Sequence, residues 1–551
     1  MDQFLELYSE AFNIAMVVLL LFLSWKILYS CWISPTQRYQ KLRRNGFKGP
    51  TPSFPLGNSR EMTKKKEEYS SLGSSKSPHD IHSMVFPYFA QWQESQGELL
   101  WVGKEHAEGG REKMINLICQ VFCGAGKVFI YWLGTEPFLY VADPEFLKKM
   151  SGEVMARSWG KPTVFKNDRD AMFGNGLVMT EGDDWVRHRH AITPAFHPSN
   201  LKVMASIMVD STARMLDKWS TLINSGRPEI DIEREITTTA GEIIAKTSCG
   251  VSNESGRNVF HKLRELQITL FQTNRFVGVP FSKLLFPKKA LEAKRLGKEI
   301  DRLFLSIITD RQKTIKEQPA SNDLLGLLLQ GSRVDGRPVK TLTPRELVDE
   351  CKTFFFGGHE TTALAITWTL LLLAVHQDWQ HQLRDEIREV VKDKEIDVSK
   401  LAGLKKMGWV MNEVLRLYPS APNVQRQARG DIQVDDLTIP NGTNMWIDVI
   451  AMHHDPALWG DDVNEFRPER FKEDGIYGGC KHKMGYVPFG FGGRMCIGRN
   501  LTFMEYKIVL TLILSKFSFT LSPTYIHSPS ILLSLRPQYG LPLIVQPLQT
   551  N

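Results

Sequence analysis

The hydrophobic pattern of this chain begins with a long apolar run over residues 11–33, in which Lys26 is the single charged residue. At about 1.5 Å of rise per residue, a helix of this length crosses a hydrocarbon layer of about 30 Å. A cleaved signal peptide would begin with basic residues, whereas this chain begins with the acidic sequence MDQFLELYSE. The run therefore predicts one N-terminal transmembrane helix, with a helix buried in a folded domain as the alternative.

A basic segment follows this run directly. Residues 26–66 contain ten Lys and Arg residues and a single acidic residue, Glu61. Positive charge collects on the cytosolic side of a membrane span, so this order predicts that the globular part is cytosolic. We divide the chain into a membrane anchor over residues 1–34, a basic and proline-rich linker over residues 35–58, and one globular domain over residues 59–549.

The rest of the chain is patterned mainly as helices. Apolar residues recur at helical spacing over residues 201–221, 290–316 and 377–392. Residues 127–141 are rich in β-branched and aromatic side chains and predict a hairpin, and residues 431–446 predict further short strands. The pattern predicts a mainly α domain with a small β region and no internal domain boundary.

A second long apolar stretch, over residues 351–376, contains the polar insert GGHETT. We interpret it as a buried helix of the domain and not as a second membrane span. A glycine inside a helix costs about 1 kcal/mol relative to alanine. The two glycines therefore predict that another group closely approaches the helix backbone there.

Composition and charge narrow the class of protein. Hydrophobic residues make up 42% of the chain and charged residues 23%, which excludes an intrinsically disordered protein. The seven cysteines include no C-x-x-C pair, so the sequence indicates neither a zinc ribbon, a ferredoxin-type cluster nor a disulfide framework. The net charge of +7 is concentrated in the basic segment, and we expect no nucleic-acid partner.

The motif with the clearest chemistry is FGFGGRMCIG near the carboxyl terminus. It resembles the heme-binding loop of the cytochrome P-450 family, F-x-x-G-x-R-x-C-x-G. The resemblance implies heme b as cofactor, with the thiolate of Cys496 as the axial ligand of its iron. It also implies that Gly492 and Gly498 shape the loop. Arg494 is expected to bind a heme propionate and Phe489 to shield the sulfur, and an inert buried thiol is the alternative for the cysteine.

The insert GGHETT resembles the oxygen-activation motif of the same family. The resemblance implies that the small residues leave room for O₂, that Thr361 holds a water molecule beside it, and that Glu360 relays protons. Ordinary polar positions on a helix surface are the alternative. We interpret His359, at the variable position of the motif, as a structural or solvent-linked residue and not as a ligand.

Three further matches concern charged residues. Glu413 and Arg416 match the family motif E-x-x-R, and their spacing places both side chains on one helix face. Arg470, in the sequence FRPERF, resembles the partner that the family supplies to this pair. The resemblance implies a buried structural network in which one carboxylate is shared by two arginines.

Other residues resemble the ligands of the heme propionates. Trp185 and Arg189 match the family pattern W-x-x-x-R. Arg426 resembles another propionate ligand, with an exposed surface cation as the alternative. By the same resemblance, the substrate pocket is expected along residues 165–177, 268–281, 354–361, 421–424 and 528–533.

The resemblance covers the chain from the anchor to the carboxyl terminus and implies the cytochrome P-450 fold. Details such as KGPTPSFPLGN and WVRHRHAITPAF resemble the plant clan that contains cytokinin hydroxylases and gibberellin-modifying enzymes. The implied function is a monooxygenase that hydroxylates a small apolar metabolite with O₂ and electrons from NADPH-cytochrome P-450 reductase. The implied location is the endoplasmic reticulum membrane, with a single span, lipid contact through the N-terminal helix, and a cytosolic catalytic domain.

Two other functions remain open at this point. One is an isomerase or dehydratase of the same fold that acts without O₂ activation, and the other is a non-catalytic heme-binding protein. The sequence also departs from the family at residues 98–126, where related chains continue directly from a segment like WQESQG into KVFIYWLGTEP. We interpret these 29 residues as an insertion, arising from a retained intron or misjoined exon or present as a true surface loop.

Overall fold

The computed structural model of the protein is mainly helical, with several small sheets. The predicted fold class is thus confirmed. The model describes residues 2–71, 78–95, 126–153, 159–251, 253–271, 277–279, 287–317, 323–330, 333–334, 337–338, 342–392 and 397–548. Residues 98–125 of the predicted insertion lie outside this set.

The helices account for most of the described chain. The α-helices are Asp2–Leu28, Ser34–Arg44, Ser59–Ser71, Ile81–Val85, Pro144–Glu153, Thr163–Phe173, Gly182–Ile192, Pro198–Lys202, Ala205–Asn224, Ile232–Cys249, Asn253–Phe271, Pro287–Glu317, Leu324–Gln330, Pro344–Val375, Gln377–Val391, Lys405–Leu417, Val449–His453, Pro456–Trp459 and Arg499–Lys516, with residues 87–95 also helical. A π-helix covers Tyr29–Ile33, and 3₁₀ turns cover Thr193–Phe196, Lys400–Gly403, Pro468–Phe471, Lys483–Gly485 and Gly492–Arg494.

The strands form one larger sheet and several small ones. They are β1 (Val128–Leu133), β2 (Glu136–Val141), β3 (Trp159–Gly160), β4 (Glu229–Asp231), β5 (Arg333–Val334), β6 (Arg337–Pro338), β7 (Asn423–Ala428), β8 (Ile432–Val434), β9 (Leu437–Ile439), β10 (Asn444–Asp448), β11 (Phe517–Leu521), β12 (Pro529–Leu532), β13 (Ser534–Pro537) and β14 (Pro542–Pro547). The five-stranded sheet has the order β1-β2-β10-β7-β3, and β11-β14-β4 form a second sheet. The pairs β5-β6, β8-β9 and β12-β13 stand by themselves.

The hairpin predicted over residues 127–141 is confirmed. Strands β1 and β2 pair antiparallel, with Leu133 opposite Glu136. Gly134 in the turn has φ +63°, a left-handed conformation that glycine adopts without steric cost. The strands that were expected over residues 431–446 are present as β8, β9 and the start of β10.

The helix Pro344–Val375, here called the central helix, contains the second apolar stretch. A capping box between Thr343 and Glu346 fixes its start. Its apolar stretch is 83% buried inside the protein, as expected for a core helix and not for a membrane span. A Cβ atom added at Gly358 would lie 2.3 Å from Cδ1 of Ile244, so the helix Ile232–Cys249 makes the close approach that the glycines predicted.

The N-terminal helical stretch Tyr8–Arg44 is long and apolar enough to cross a membrane, and its apolar part is not buried against the domain. The last part of this stretch, Ser34–Arg44, occupies half of the segment predicted as a linker. It buries Tyr39 and Leu42 and holds Arg38 at 2.7 Å from Glu136 in β2. Of the basic residues of this helix, Arg38 thus contacts the domain, whereas Lys41, Arg43 and Arg44 are exposed.

Candidate functional site

The cysteine of the FGFGGRMCIG motif lies at the end of a tight loop. Gly490 and Gly492 have φ +74° and +62°, and only glycine adopts this backbone conformation readily. The backbone N–H of Cys496 donates to the carbonyl oxygen of Phe489 at 2.9 Å, which closes the loop. The helix Arg499–Lys516 begins three residues later. The loop therefore places the thiol beside the positive end of a helix.

The surroundings of the Cys496 sulfur have two opposing effects on the pKa of its thiol. Burial raises the pKa of the Cys496 thiol, whereas backbone N–H groups of Gly498 and Arg499 and the charge of Arg189 act to lower it. Burial dominates, and the pKa lies above its ordinary value. The side chain is nevertheless accessible, because it lines an internal cavity. Backbone donors of this kind stabilise a thiolate that is bound to a metal.

One cavity of about 370 Å³ brings most of the predicted site residues together. The cysteine loop forms one part of its wall and the central helix another. Predicted residues that line the cavity are Trp185, Arg189, Thr361, Arg426, Phe489, Arg494, Cys496 and Gly498. The predicted residues Glu360, Gly492, Glu413, Arg416 and Arg470 do not line it.

Cationic side chains cluster on this cavity. Burial, and secondarily the neighbouring Arg494, lowers the pKa of Arg426 to about 9. Burial lowers the pKa of Arg494 to about 10, and burial together with nearby arginines lowers the pKa of Lys161 well below its ordinary value. Within the described part of the chain, no carboxylate pairs with the side chain of Arg426 or Lys161. Buried cations of this kind require anions, and the two propionates of a heme fit that requirement.

Lys161 is a candidate ligand of a heme propionate that the sequence analysis did not identify. It follows β3 directly and belongs to no motif identified in the sequence. Its accessible surface faces the cavity, where it joins Arg426 and Arg494. Only the pairing of β3 with β7, opposite Gln427 and Ala428, brings it there.

The two arginines near the cysteine are held by backbone contacts. Arg494 donates to the carbonyl oxygens of Trp159 and Thr180, both at 3.0 Å, and stacks on the Trp185 ring with 4.6 Å to its centroid. Arg189 donates to the carbonyl oxygen of Met495 at 3.0 Å. These contacts tie the helix Gly182–Ile192 to the cysteine loop.

Thr361 presents its side chain to the cavity from the central helix. Its hydroxyl donates to the carbonyl oxygen of Gly357 at 2.7 Å. Its own carbonyl oxygen accepts a hydrogen bond from Ser420 at 2.8 Å. A Cβ atom at Gly357 would meet nothing within 4 Å, so the wall beside Thr361 is open. The cavity therefore has room for a small molecule next to this hydroxyl.

The side chain of Glu360 contacts other residues than that of Thr361 does. Its carboxylate is fully buried and accepts hydrogen bonds from Ser534 at 2.5 Å and from Gln267 at 3.0 Å, with Arg536 at 3.6 Å. Burial raises the pKa of Glu360, but Arg536, His359 and the two hydrogen bonds outweigh burial and lower it overall. The group is thus ionised at neutral pH. Its Oε2 atom forms no hydrogen bond with the residues that the structure describes.

His359 is buried, and its Nδ1 atom lies 2.5 Å from the carbonyl oxygen of Phe355. It packs edge-on against Phe260 and Phe356. It does not line the cavity. These contacts agree with the interpretation of His359 as a structural residue.

Glu413 lies between two arginines in the core. Arg416 binds its carboxylate with two hydrogen bonds of 2.7 and 2.8 Å, and Nε of Arg470 lies 3.4 Å away. Arg416 also donates to the carbonyl oxygens of His453, Val463 and Glu465. The network fixes the backbone that precedes the cysteine loop and contributes nothing to the cavity wall.

Known proteins resemble this chain over nearly its whole length. The family model described as cytochrome P450 matches residues 93–541. A cytokinin hydroxylase from Arabidopsis thaliana is 36% identical over 537 residues, which cover 95% of this chain and 96% of the relative. Cytochrome P450 714C2 from Oryza sativa subsp. japonica is 33% identical over 99% of this chain and all of the relative. Cytochrome P450 734A1 from Arabidopsis thaliana is 32% identical over 93% of this chain and 92% of the relative.

The extent of these matches, together with the cysteine loop and the cavity it shares with the central helix, assigns the family. The chain belongs to the cytochrome P450 family of heme monooxygenases, which bind their heme iron through a cysteine thiolate.

Proposed function

We propose that this protein is a membrane-anchored monooxygenase that hydroxylates a small hydrophobic plant metabolite, such as a cytokinin or a gibberellin. The observation that supports this proposal best is that Cys496 and Thr361 line one cavity from two different elements. The Arabidopsis relative named as a cytokinin hydroxylase supports the choice of substrate class.

In this proposal, Cys496 binds the heme iron through its thiolate, and backbone N–H groups stabilise that charge. Arg494, Arg426 and Lys161 bind the propionates, and Trp185 and Arg189 hold the loop around them. Bound heme supplies O₂ activation. Thr361 would hold a water molecule in the cavity, and the Glu360 carboxylate would relay protons to it from its buried network.

The substrate end of the cavity is mostly apolar. Leu177, Phe196, Ile244, Phe354 and Val424 belong to its lining. Apolar walls bind a hydrophobic skeleton by removing its surface from water, at about 25 cal/mol per Å². Residues 272–276 and 280–281 of the predicted pocket segment 268–281 lie outside the part of the chain that the structure describes.

We propose that electrons come from NADPH-cytochrome P-450 reductase. Lys481 and Lys483 are exposed and Arg499 is half-buried near the cysteine loop, so a basic surface is available for an acidic flavoprotein. Arg494 donates to backbone carbonyl oxygens of the domain and does not belong to this surface. The apolar residues 11–33, in the first part of the helical stretch Tyr8–Arg44, supply the proposed anchor in the endoplasmic reticulum membrane, with the catalytic domain in the cytosol.

The decisive experiment is a carbon-monoxide difference spectrum of the reduced protein, followed by turnover with reductase, NADPH and candidate substrates. We expect a thiolate-type absorption band that Cys496→Ser abolishes. Cys480→Ser is the matched control, because Cys480 bonds the carbonyl oxygen of His482 and does not line the cavity. Product formation without NADPH or O₂ would indicate an isomerase or dehydratase, and heme binding without turnover would indicate a non-catalytic protein.

A further inference from the structure

Among the described residues that line the cavity, one carries an amide side chain, and its neighbours fix the orientation of that amide. Asn423 lines the cavity at the start of β7. Its Oδ1 atom accepts a hydrogen bond from Nε2 of Gln425 at 3.1 Å. Oε1 of Gln425 in turn accepts one from the guanidinium of Arg169 at 2.7 Å. These three side chains form a continuous chain of hydrogen bonds from a buried arginine to the cavity.

The direction of these hydrogen bonds follows from the arginine. A guanidinium only donates, so the atom of Gln425 that faces Arg169 must be its oxygen. The Gln425 nitrogen then faces Asn423, which must accept through its own oxygen. Turning either amide around would set two donors against each other. Arg169 is 5% exposed, so water does not relieve such a clash at its contact with Gln425.

The remaining hydrogen-bonding group of Asn423 is therefore a donor. With Oδ1 engaged, its NH₂ group is left for a molecule in the cavity, and no described residue pairs with Nδ2. We propose that Asn423 selects the substrate by donating a hydrogen bond to it. The substrate then carries an acceptor without a competing donor at that atom, such as a ring nitrogen, a carbonyl or a carboxylate.

The position of this acceptor relative to the reacting carbon is also constrained. Ser420, three residues before Asn423, bonds the carbonyl oxygen of Thr361. Three residues of extended chain span at most about 10 Å, so the backbone of Asn423 lies within about 10 Å of the backbone of Ser420. The inference rests on the proposed function, because Thr361 marks the oxygen site only in a monooxygenase. The substrate class is thus a small molecule with an acceptor at one end and an apolar group at the other.

Binding of matched probes to the purified holoenzyme tests this inference. One pair is N6-prenyladenine and N-prenylaniline, and the other is a tetracyclic diterpene acid and its parent hydrocarbon. Dissociation constants are measured by the spectral shift of the heme and by calorimetry. We expect the acceptor-bearing member of at least one pair to bind about tenfold tighter than its partner, as one hydrogen bond allows. Equal binding within both pairs, or no binding of any probe, contradicts the inference.

Three variants test whether Asn423 causes the preference for the acceptor-bearing probe. Asn423→Leu should reduce the tenfold preference to about twofold or less, and Asn423→Asp should weaken the acceptor-bearing probe still further because it presents a carboxylate oxygen. Gln425→Glu keeps the contact with Arg169 but cannot donate to Asn423, so it should lower the preference while the asparagine is intact.

The heme content and the carbon-monoxide band of each variant show whether a failure concerns the role of Asn423 or the proposed monooxygenase function. A normal band with an unchanged preference in Asn423→Leu contradicts the role of Asn423 and leaves the monooxygenase intact. Loss of heme from Asn423→Leu means that the amide binds the cofactor, which also contradicts the inference. Absence of the band from the wild-type protein contradicts the proposed function itself.

Discussion

Glu360 accepts a hydrogen bond of 2.5 Å from Ser534, although Thr361, the next residue along the helix, lines the cavity. The acid and the alcohol of the oxygen-activation motif thus point into different surroundings. Glu360 belongs to a buried polar network that includes Gln267, Arg536 and, beyond Arg536, Glu233 at 2.7 Å. A proton that reaches the cavity through Glu360 has to pass from this network to a water molecule beside Thr361.

Arg536 is expected to control the pH range in which Glu360 is ionised. Burial alone raises the pKa of this carboxyl, and Arg536 is the largest influence that lowers it. In Arg536→Met the pKa should rise, so the carboxylate protonates at a higher pH than in the wild-type protein. The amount of product formed per NADPH is measured as a function of pH. On lowering the pH, this amount should begin to fall at a higher pH in the variant than in the wild-type protein.

Arg388→Met is the matched control, since Arg388 is exposed and contacts Asp385 outside the Glu360 network. Its pH profile should match that of the wild-type protein, and Arg536→Lys should restore most of the wild-type profile. An acid limb that stays in place in Arg536→Met contradicts a role for the Glu360 charge in proton supply.

Thr361→Ala should separate electron consumption from product formation. Its hydroxyl is positioned by the carbonyl oxygen of Gly357, and alanine removes the hydroxyl that we propose to hold a water molecule in the cavity. We expect NADPH consumption to continue while hydrogen peroxide rises and product per NADPH falls about a hundredfold, the lower end of what positioned proton transfer contributes. Thr361→Ser keeps the hydroxyl and should retain coupling. Unchanged coupling in Thr361→Ala would remove Thr361 from the oxygen site.

Lys161→Met and Arg426→Met should weaken heme retention. Each variant removes a basic side chain from the cavity wall, and a charge-assisted hydrogen bond contributes about 1.5–3 kcal/mol. Transfer of heme to apomyoglobin should therefore be at least about tenfold faster in either variant. Lys149→Met is the control, since Lys149 is exposed and contacts Asp435 on the surface. Equal transfer rates in all three variants would show that propionates bind elsewhere.

Glu413→Gln should destabilise the domain without changing the cavity. The variant leaves Arg416 and Arg470 buried without the charge that they share, which costs about 3–5 kcal/mol. Asp385→Asn, which breaks an exposed contact with Arg388, should cost less than about 1 kcal/mol. Urea unfolding followed by circular dichroism measures both. Similar midpoints for the two variants would contradict a structural role for Glu413.

Glycosylation tests the orientation of the chain in the membrane. The sequence has N-x-S/T acceptor sites at Asn253, Asn441 and Asn500, and Asn441 and Asn500 are exposed. We expect no mass change with N-glycosidase, because a cytosolic domain does not meet the glycosylation machinery. An acceptor site added before Met1 should be modified in the same preparation. A mass shift that Asn441→Gln removes would reverse the topology.

Several features followed from the sequence because they depend on neighbours within a few residues. The hairpin of β1 and β2 is a local pairing across a glycine turn, and the apolar pattern of the central helix needs no distant partner. The cysteine loop is equally local, since its glycines and the bond from Cys496 to Phe489 lie within one short segment. Spacing alone is enough to predict such elements.

The tertiary structure decided which side chains share a space. Lys161 reaches the cations of the cavity only because β3 pairs with β7, and Gln267 and Ser534 reach Glu360 from segments 93 and 174 residues away in sequence. Arg494 turned inward because the carbonyl oxygens of Trp159 and Thr180 lie beside it. Sequence spacing carries no information on such contacts, because long-range packing of helices and strands determines them. The motifs thus determined the family and its chemistry, and packing determined the surroundings in which each group acts.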